Sequence, residues 1–212
     1  MKYKGIIFDL DGVICSTDEY HYLAWKALAD RLGIPFDRER NNLLRGVSRM
    51  ASLDIILEKS DKTYTDEEKA VFAEEKNNNY RTLLAQMSPA DLPEDVKSTL
   101  LKLREQGVRL AIGSSSKNTP FILERIGLGD FFDAIADGNC ITHSKPHPEV
   151  FLKAAEFIGL PPDVCLVVED AHAGVEAAVA GGFDCAAIGD AKEDTRAVLH
   201  LTKFSDLLFL ID

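Results

Sequence analysis

The hydrophobic and polar positions of the chain follow two periods, and the change between them divides the sequence. Residues 5–8 form a short apolar run without alternation, which is typical of a strand buried on both faces. From about residue 18 to residue 86, apolar side chains recur at helical spacing and no strand pattern occurs. Beyond residue 89, short apolar runs alternate with helical stretches. The pattern predicts a parallel β-sheet that is interrupted after its first strand by a helical insertion.

Capping residues, glycines and prolines set the expected bounds of these elements. In the insertion we expect helices at 18–32, at 37–44, from Ser48 onward, and from Asp66 to about Gln86. After Pro89 and Pro93 we expect strands at 108–112, 134–136, 165–168 and 185–188. Further helices are expected at 94–106, 117–126, 148–158 and 171–180, with a helical tail. The predicted fold class is α/β: a Rossmann-like parallel sheet core with helices on both faces (1–14 and 89–212) and an inserted α-helical cap domain (15–88).

Composition narrows the class of partner. The length of 212 residues, with 46% hydrophobic and 28% charged residues, suits a core of normal size. The net charge of −11 argues against general affinity for nucleic acid or anionic membranes. The four cysteines are scattered without zinc-binding spacing, which favours free thiols in a reducing compartment. Asp9 interrupts the first apolar run, and no run reaches the ~20 apolar residues of a membrane span. We therefore expect a cytoplasmic monomer whose partners are small molecules.

Two carboxylates, Asp9 and Asp11, follow the first predicted strand, and Gly12 then frees the backbone to turn. Open α/β sheets carry their chemistry at the carboxyl ends of their strands. We expect Asp9 to face a substrate while Asp11, just beyond the strand, comes in beside it. The alternative is an ordinary Asp-x-Asp-Gly turn, because Asp and Gly are common turn residues.

Three further polar sets follow later strands. Ser114, Ser115, Ser116 and Asn118 offer hydroxyl and backbone N–H groups to a phosphate, although an ordinary helix cap has the same composition. Lys145 lies on a loop that prolines stiffen, so its ammonium can neutralise a phosphoryl group; the alternative is a surface lysine. His147 is interpreted as a loop residue with no ligand set nearby.

The last set is Glu169-Asp170, at the end of the strand predicted at 165–168. Two adjacent carboxylates that follow an apolar strand are costly unless a cation lies close to them. Mg²⁺ would suit this position, since it prefers carboxylate, phosphate and water oxygens. The alternative is an acidic pair at the start of a helix.

Taken in order, these sets resemble the motifs of the haloacid dehalogenase superfamily of phosphotransferases. The motifs are Phe-Asp-Leu-Asp-Gly-Val at 8–13, Ser114, Lys145 in Ser-Lys-Pro, and Glu169-Asp170. The resemblance covers the whole chain, including a helical cap inserted after the first strand. Cap and loop stretches further resemble the β-phosphoglucomutase family: residues 19–21, 24–28, 46–49, 76–77, 88–91, 116–118 and 132–137.

This resemblance implies a Mg²⁺-dependent isomerase that interconverts β-glucose 1-phosphate and glucose 6-phosphate through β-glucose 1,6-bisphosphate, which also donates the priming phosphate. It implies Asp9 as nucleophile and Asp11 as general acid/base, with Ser114 and Lys145 holding phosphoryl oxygens. The implied Mg²⁺ ligands are the Asp9 carboxylate, the Asp11 main-chain carbonyl, Glu169 and Asp170. The implied substrate-binding residues are Thr17, His21, Trp25, Gly46, Val47, Ser48, Arg49, Ser52, Lys76, Ser115, Ser116 and Asn118.

Pattern alone leaves other interpretations of the cap residues. Without the resemblance, a solvated position on the helix surface of a charged cap is the favoured interpretation of Arg49 and Lys76. Trp25 lies on an apolar helix stripe that is typical of a core, and His21 could be an ordinary helix side chain. Two other functions are also considered: a sugar-phosphate phosphatase on the same scaffold, and a non-catalytic sugar-phosphate sensor.

Overall fold

A six-stranded parallel sheet forms the centre of the protein, of which the computed structural model describes residues 2–44 and 47–210. Its strands are β1 (Gly5–Phe8), β2 (Arg109–Gly113), β3 (Ala134–Ala136), β4 (Cys165–Glu169), β5 (Asp184–Ala187) and β6 (Leu199–His200). They lie in the order β3-β2-β1-β4-β5-β6. In this doubly wound order the direction of chain progression reverses at β1, where such sheets open a crevice for ligands. The predicted fold class is confirmed.

Eight α-helices occur in the described residues. Four of them lie between β1 and β2: α1 (Asp18–Leu32), α2 (Arg38–Asn42), α3 (Arg49–Leu57) and α4 (Asp66–Leu84). The other four cover the sheet: α5 (Glu94–Glu105), α6 (Thr119–Arg125), α7 (Glu149–Phe157) and α8 (His172–Ala180). Side chains cap two of the helices in the insertion: Ser48 Oγ accepts a hydrogen bond from the Ala51 N–H, and Thr65 forms a reciprocal capping box with Glu68. Thr17, the expected cap of α1, makes no such side-chain bond.

The C-terminal region differs from the prediction. In place of a helical tail the chain forms a 3₁₀ helix at Gly189–Glu193, then β6, then a 3₁₀ helix at Phe204–Leu210. β6 has only two residues, which pair with Ala186 and Ala187 of β5. A strand this short has no alternation to detect in a sequence. The predicted helix at 37–44 is also shorter, and its expected end at Arg45 and Gly46 lies outside the described residues.

The hydrophobic residues form three clusters. Ile6 and Phe8 of β1 belong to the cluster on one face of the sheet, and Ile7 belongs to the cluster on the other face. The helical insertion has its own cluster, centred on Trp25, Leu28, Leu53 and Ile56. A separate apolar cluster is what a cap unit would need, and the bounds 15–88 stay a prediction. None of the helices in residues 2–44 and 47–210 has the length and apolar character required to cross a bilayer.

Candidate active site

The parallel register of the three central strands brings the predicted polar sets to one edge of the sheet. Phe8 of β1 is level with Ile112 of β2 and with Val168 of β4. The next residue on each strand therefore lies at the same height: Asp9, Gly113 and Glu169. This is why sets that are far apart in the sequence meet at one place.

A cavity of about 840 Å³ lies between this edge and the helical insertion, a size typical of small-molecule sites. One wall comes from the loops after β1, β2, β3, β4 and β5, and the other comes mainly from α1, α3 and α4. The predicted site residues that line it are Asp9, Asp11, His21, Trp25, Val47, Ser48, Arg49, Ser52, Lys76, Ser114, Ser115, Ser116, Asn118, Lys145, Glu169 and Asp170. Thr17 is buried beside the cavity and is not part of its lining, and Gly46 lies outside the described residues.

Lys145 joins two of the predicted carboxylates. Its Nζ donates to Asp9 Oδ1 and to Glu169 Oε1, both at 2.5 Å, and its side chain is only 1% exposed. Burial alone would lower the pKa of Lys145, but the charges of Asp9 and Glu169 outweigh it and raise this pKa above its usual value. The interpretation of Lys145 as a surface lysine is therefore wrong, and the residue is a fixed positive charge beside Asp9.

Asp11 is held by the residue that precedes α1. Thr17 donates from its backbone N–H to Asp11 Oδ1 at 2.6 Å and from Oγ1 to Oδ2 at 2.7 Å. Tyr80 of α4 in turn donates to Thr17 Oγ1 at 3.0 Å. Burial raises the pKa of Asp11 to about 6, against the opposing effect of the two Thr17 hydrogen bonds and with a contribution from the charge of Asp9. A carboxyl group with this pKa can both release and accept a proton near neutral pH.

Glu169, the last residue of β4, and Asp170 directly after it bring two further carboxyl groups close to Asp9 and Asp11. Burial and the nearby charges of Asp9, Glu169 and Asp11 raise the pKa of Asp170 to about 9. The two Glu169 oxygens accept hydrogen bonds from Lys145 and from the Ala171 N–H, whereas the described residues donate none to the Asp170 carboxylate. Clustered carboxylates with one lysine between them form an oxygen-rich donor set that suits Mg²⁺. The role of Glu169 as a direct ligand stays a prediction, and its buried position shows that it is not a solvated helix-start residue.

Backbone conformation brings Asp170 close to the chain after β1. Gly12 has a φ of +83°, in the left-handed region that favours glycine. A Cβ at this position would lie 2.0 Å from Asp170 Oδ2. The absence of a side chain at Gly12 therefore allows the fourth motif to approach the first.

The serine-rich loop after β2 is ordered by its own side chains. Ser114 Oγ accepts from the Ser116 N–H, and Ser116 Oγ accepts from the Asn118 N–H, both at 3.2 Å. Asn118 is also bound from α4, where its Nδ2 donates to Asn77 Oδ1 at 3.0 Å and Arg81 donates to its Oδ1 at 3.2 Å. The buried Ser115 Oγ has no hydrogen-bond partner in the described part of the chain. A buried hydroxyl without a partner is costly, so it is available to a ligand oxygen in the cavity.

Lys76 is the most unusual residue of the insertion. It is 2% exposed, its Nζ lies 2.9 Å from His21 Nδ1, and the rings of Trp25 and Tyr80 face it at 4.6 and 4.3 Å. Burial, together with the charge of Arg49, lowers the pKa of Lys76 well below its usual value. The interpretation of Lys76 as a solvated cation is wrong, and Arg49 is half-buried. Trp25 belongs both to the insertion core and to the cavity wall.

Sequence reasoning missed several residues that position the site. Tyr80, Asn77 and Arg81 all lie on α4 and reach residues more than 35 positions away. The three residues are three positions and one position apart on a polar helix, and this spacing in the sequence does not indicate the contacts that they make. The interpretation of His147 as a residue without a nearby ligand set is also wrong, because His143 and Glu149 lie beside it.

Comparison with known proteins extends over almost the whole chain. A model of the haloacid dehalogenase-like hydrolase family matches residues 3–182. A β-phosphoglucomutase of Bacillus subtilis (strain 168) is 39% identical over 206 residues, which are 96% of this chain and 91% of that protein. The fructose-1-phosphate phosphatase YqaB of Escherichia coli (strain K12) is 32% identical over 184 residues, 86% of this chain and 95% of that one. The crystal structure of a β-phosphoglucomutase from Clostridium difficile has a TM-score of 0.91 at 38% identity and covers 97% of this chain and 93% of that chain.

Proposed function

The chain belongs to the haloacid dehalogenase-like hydrolase family, and we propose that within it the protein is a magnesium-dependent β-phosphoglucomutase. It would interconvert β-glucose 1-phosphate and glucose 6-phosphate through β-glucose 1,6-bisphosphate. The observation that carries the proposal is a cavity with cationic groups on both walls: Lys145 on the sheet side, and Arg49 and Lys76 on the insertion side. A bisphosphate has two phosphates to neutralise, whereas the hydrolysis of a monophosphate needs one such group.

Asp9 is the proposed nucleophile. Its carboxylate would attack phosphorus, forming an Asp9–phosphate bond as the bond between phosphorus and the sugar oxygen breaks. Lys145 and Ser114 would hold phosphoryl oxygens, since the Lys145 ammonium already lies 2.5 Å from Asp9 Oδ1. The phosphorylated Asp9 would then transfer its phosphoryl group to the 6-hydroxyl of β-glucose 1-phosphate, which forms β-glucose 1,6-bisphosphate. After this intermediate turns round, Asp9 would attack the phosphorus at C1, the bond from that phosphorus to the sugar oxygen would break, and glucose 6-phosphate would leave.

Asp11 is the proposed general acid/base. It would give its proton to the leaving sugar oxygen in the first step and take the proton of the attacking hydroxyl in the second. Its pKa of about 6 supports both roles. Thr17 and Tyr80 would keep its carboxyl group in one orientation, so the proton donor is fixed relative to the insertion helices.

A magnesium ion would be held by the Asp9 carboxylate, the Asp11 main-chain carbonyl, Glu169 and Asp170. When bound, it would neutralise charge on the transferring phosphoryl group. The raised pKa of Asp170 supports this assignment, because a cation would relieve the repulsion between the clustered carboxylates.

A sugar-phosphate phosphatase is the second candidate, and the similarity to the Escherichia coli phosphatase supports it. The two functions differ in what must be kept from water: in a mutase the phosphorylated Asp9 must last until a sugar phosphate, and not water, accepts its phosphoryl group. The bisphosphate must also stay bound while it turns round. His21, Lys76 and Trp25 would serve both demands from the insertion side, where they form one packed group.

The test is a coupled assay on the purified protein with Mg²⁺ and β-glucose 1-phosphate, primed with a trace of glucose 1,6-bisphosphate. Glucose 6-phosphate and free phosphate are measured together, with the α-anomer as control. We expect glucose 6-phosphate from the β-anomer only, with little free phosphate. Free phosphate without isomerised product would instead establish the phosphatase. The sensor would be established by two results together: the wild type produces neither glucose 6-phosphate nor free phosphate, and the Asp9→Asn variant still binds sugar phosphate.

We also propose that the protein acts in the cytoplasm as a monomer on small sugar phosphates, without nucleic acid or membrane partners. Four free cysteines support a reducing compartment. The net charge of −11 supports the absence of anionic macromolecular partners. The division into a core (1–14 and 89–212) and a cap (15–88) is part of the same proposal.

A further inference from the structure

Three potential metal ligands meet on the loop that carries Lys145. Each of His143, His147 and Glu149 offers one ligand atom, and these atoms all lie within 4.8 Å of one another. Both imidazoles are exposed, and both belong to the wall of a second, open cavity of about 750 Å³ that also contacts Ser48. We propose that His143, His147 and Glu149 form a binding site for a divalent transition-metal ion of the Zn²⁺ type, separate from the carboxylate site at Asp9.

The ligand types define the chemistry of the ion. Two imidazole nitrogens and one carboxylate oxygen form a three-ligand set that suits zinc and leaves a fourth position for water. Mg²⁺ prefers oxygen ligands throughout, so this set discriminates against the ion proposed for the active site. With two neutral imidazoles and one carboxylate, a divalent ion keeps a net positive charge, which the surrounding acidic protein favours.

The distances are close to those that zinc requires. His143 Nδ1 lies 3.1 Å from Glu149 Oε2. In a tetrahedron with metal–ligand bonds of about 2.0–2.1 Å, neighbouring ligand atoms are about 3.3 Å apart. All three ligand atoms lie within 4.8 Å of one another, so no pair has to approach by more than about 1.5 Å, which an exposed histidine ring achieves by a small rotation.

The site is partly organised before any ion binds. The backbone N–H groups of Thr142 and His143 donate to the two Glu149 oxygens at 3.0 and 2.8 Å, and fix the carboxylate. The same hydrogen bonds lower the pKa of Glu149, so the group is ionised. The His143 and His147 rings lie 4.7 Å apart between centroids, and prolines on both sides of His147 restrict its backbone. The Glu149 carboxylate and the His147 backbone therefore have little conformational freedom to lose on binding.

The proposed metal site lies on the loop that carries Lys145, so a bound ion should restrain that loop. His143 and His147 each lie two residues from Lys145, which is buried between Asp9 and Glu169. An ion shared by His143, His147 and Glu149 closes a short chelate around the lysine. We therefore expect zinc to hold the Lys145 loop and to raise the melting temperature of the protein by mass action.

The experiment titrates the whole protein with ZnCl₂ by calorimetry in excess Mg²⁺, and compares His143→Gln and His147→Gln with wild type. His200→Gln is the matched control, since it removes an exposed histidine at β6, remote in sequence from the loop. Each loop variant should weaken zinc binding at this site by at least about tenfold, while the control should not. The zinc-dependent rise in melting temperature should disappear in the same two variants.

A zinc soak of crystals, with anomalous scattering at the zinc edge, locates the ion independently. A peak between His143, His147 and Glu149 supports the proposal. A peak confined to the carboxylates around Asp9, or equal zinc affinity in wild type and both loop variants, overturns it. Because the proposal concerns binding alone, its outcome is independent of whether the enzyme is a mutase or a phosphatase.

Discussion

Thr17 directs its hydroxyl to Asp11 and not to the helix that it precedes. It occupies the N-cap position of α1, yet its side chain makes no hydrogen bond to the backbone of that helix. Instead, Oγ1 donates to Asp11 Oδ2 at 2.7 Å and accepts from Tyr80 Oη at 3.0 Å. Since capping is normally worth about 1 kcal/mol, the chain gives up local helix stability for a contact in the candidate active site. The proposed acid/base group is thereby connected to α1 and α4 of the insertion.

Replacement of Thr17 by Val should separate this contact from packing, because valine keeps the shape and removes the hydroxyl. The backbone hydrogen bond to Asp11 remains, while the carboxyl group loses one of its two donors and Tyr80 loses its acceptor. We expect kcat/KM to fall about 10–100-fold through misplacement of Asp11, with little change in folding. The measurement is steady-state kinetics on β-glucose 1-phosphate, together with circular dichroism.

Thr82→Val is the control for this substitution. Thr82 is an exposed residue of α4 whose hydroxyl donates to the Asn78 carbonyl of its own helix. This variant should retain wild-type kinetics. Full activity in Thr17→Val would show that the backbone N–H alone is sufficient to orient Asp11.

Replacement of Gly12 by Ala tests the close approach of Asp170 to the first motif. The new Cβ would meet Asp170 Oδ2 at 2.0 Å and would also be strained at a φ of +83°. Gly33→Ala isolates the strain, because Gly33 has a φ of +71° and nothing lies within 4 Å of its Cβ position. Both variants should lose about 1–2 kcal/mol of unfolding free energy. Only Gly12→Ala should also lose Mg²⁺ affinity and activity.

Urea unfolding and calorimetric Mg²⁺ titration measure the two effects separately. Equal Mg²⁺ affinity in wild type and Gly12→Ala would mean that Asp170 can move without consequence, and would count against its role as a ligand.

The residues that could be predicted from the sequence are those whose positions depend on strand order. Asp9, Ser114 and Glu169 stand at the ends of apolar runs, and the parallel register brings the ends of those runs to one edge. No knowledge of packing is needed for that step. Lys145 lies further along the loop after β3, so for this residue the register gives only the edge and not the position. The short strand β6 escaped prediction because two residues have no period.

Contacts between helices could not be predicted in this way. The hydroxyls of Tyr80 and Thr17 belong to residues 63 positions apart, and nothing in the Glu- and Lys-rich pattern of α4 distinguishes Tyr80 or Lys76 from a surface residue. Burial of Lys76 follows from the packing of α1 against α4, which brings Trp25 and His21 to its Nζ. Tyr80 lies one turn further along α4 itself and its ring also contacts Nζ. For Trp25, Lys76 and His21, only the family resemblance indicated a place in the site, and their roles stay predictions.

Replacement of Asp170 by Asn should abolish Mg²⁺ binding and make the metal-free protein more stable. The raised pKa of Asp170 shows that its ionised form is unfavourable among Asp9, Glu169 and Asp11 when no cation is bound. At neutral pH the unfolded chain ionises Asp170, so the metal-free wild type has to bind a proton at this group when it folds. Asparagine removes this cost, so the free energy of unfolding in EDTA at neutral pH should rise by about 1–2 kcal/mol. Mg²⁺, which stabilises the wild type by binding to the folded state, should then have no effect.

The matched control is Asp163→Asn, which changes an exposed carboxylate at the opposite end of β4. It should retain the wild-type response to Mg²⁺ and to EDTA in urea unfolding. A Mg²⁺-dependent stabilisation that persists in Asp170→Asn would move the metal site away from this residue.

His21 should make the stability of the protein depend on pH. Burial and the positive charges of Lys76 and Arg49 lower its pKa well below 6.5, whereas the unfolded chain has an ordinary histidine pKa. As pH falls below about 6.5, the unfolded state binds a proton that the folded state does not, so stability decreases by at most about 1.4 kcal/mol per pH unit.

His21→Gln removes this contribution. The free energy of unfolding, measured in urea between about pH 7 and pH 5, should therefore fall less steeply in the variant than in wild type. Equal slopes in wild type and His21→Gln would mean that the His21 ring becomes protonated without leaving its place beside Lys76.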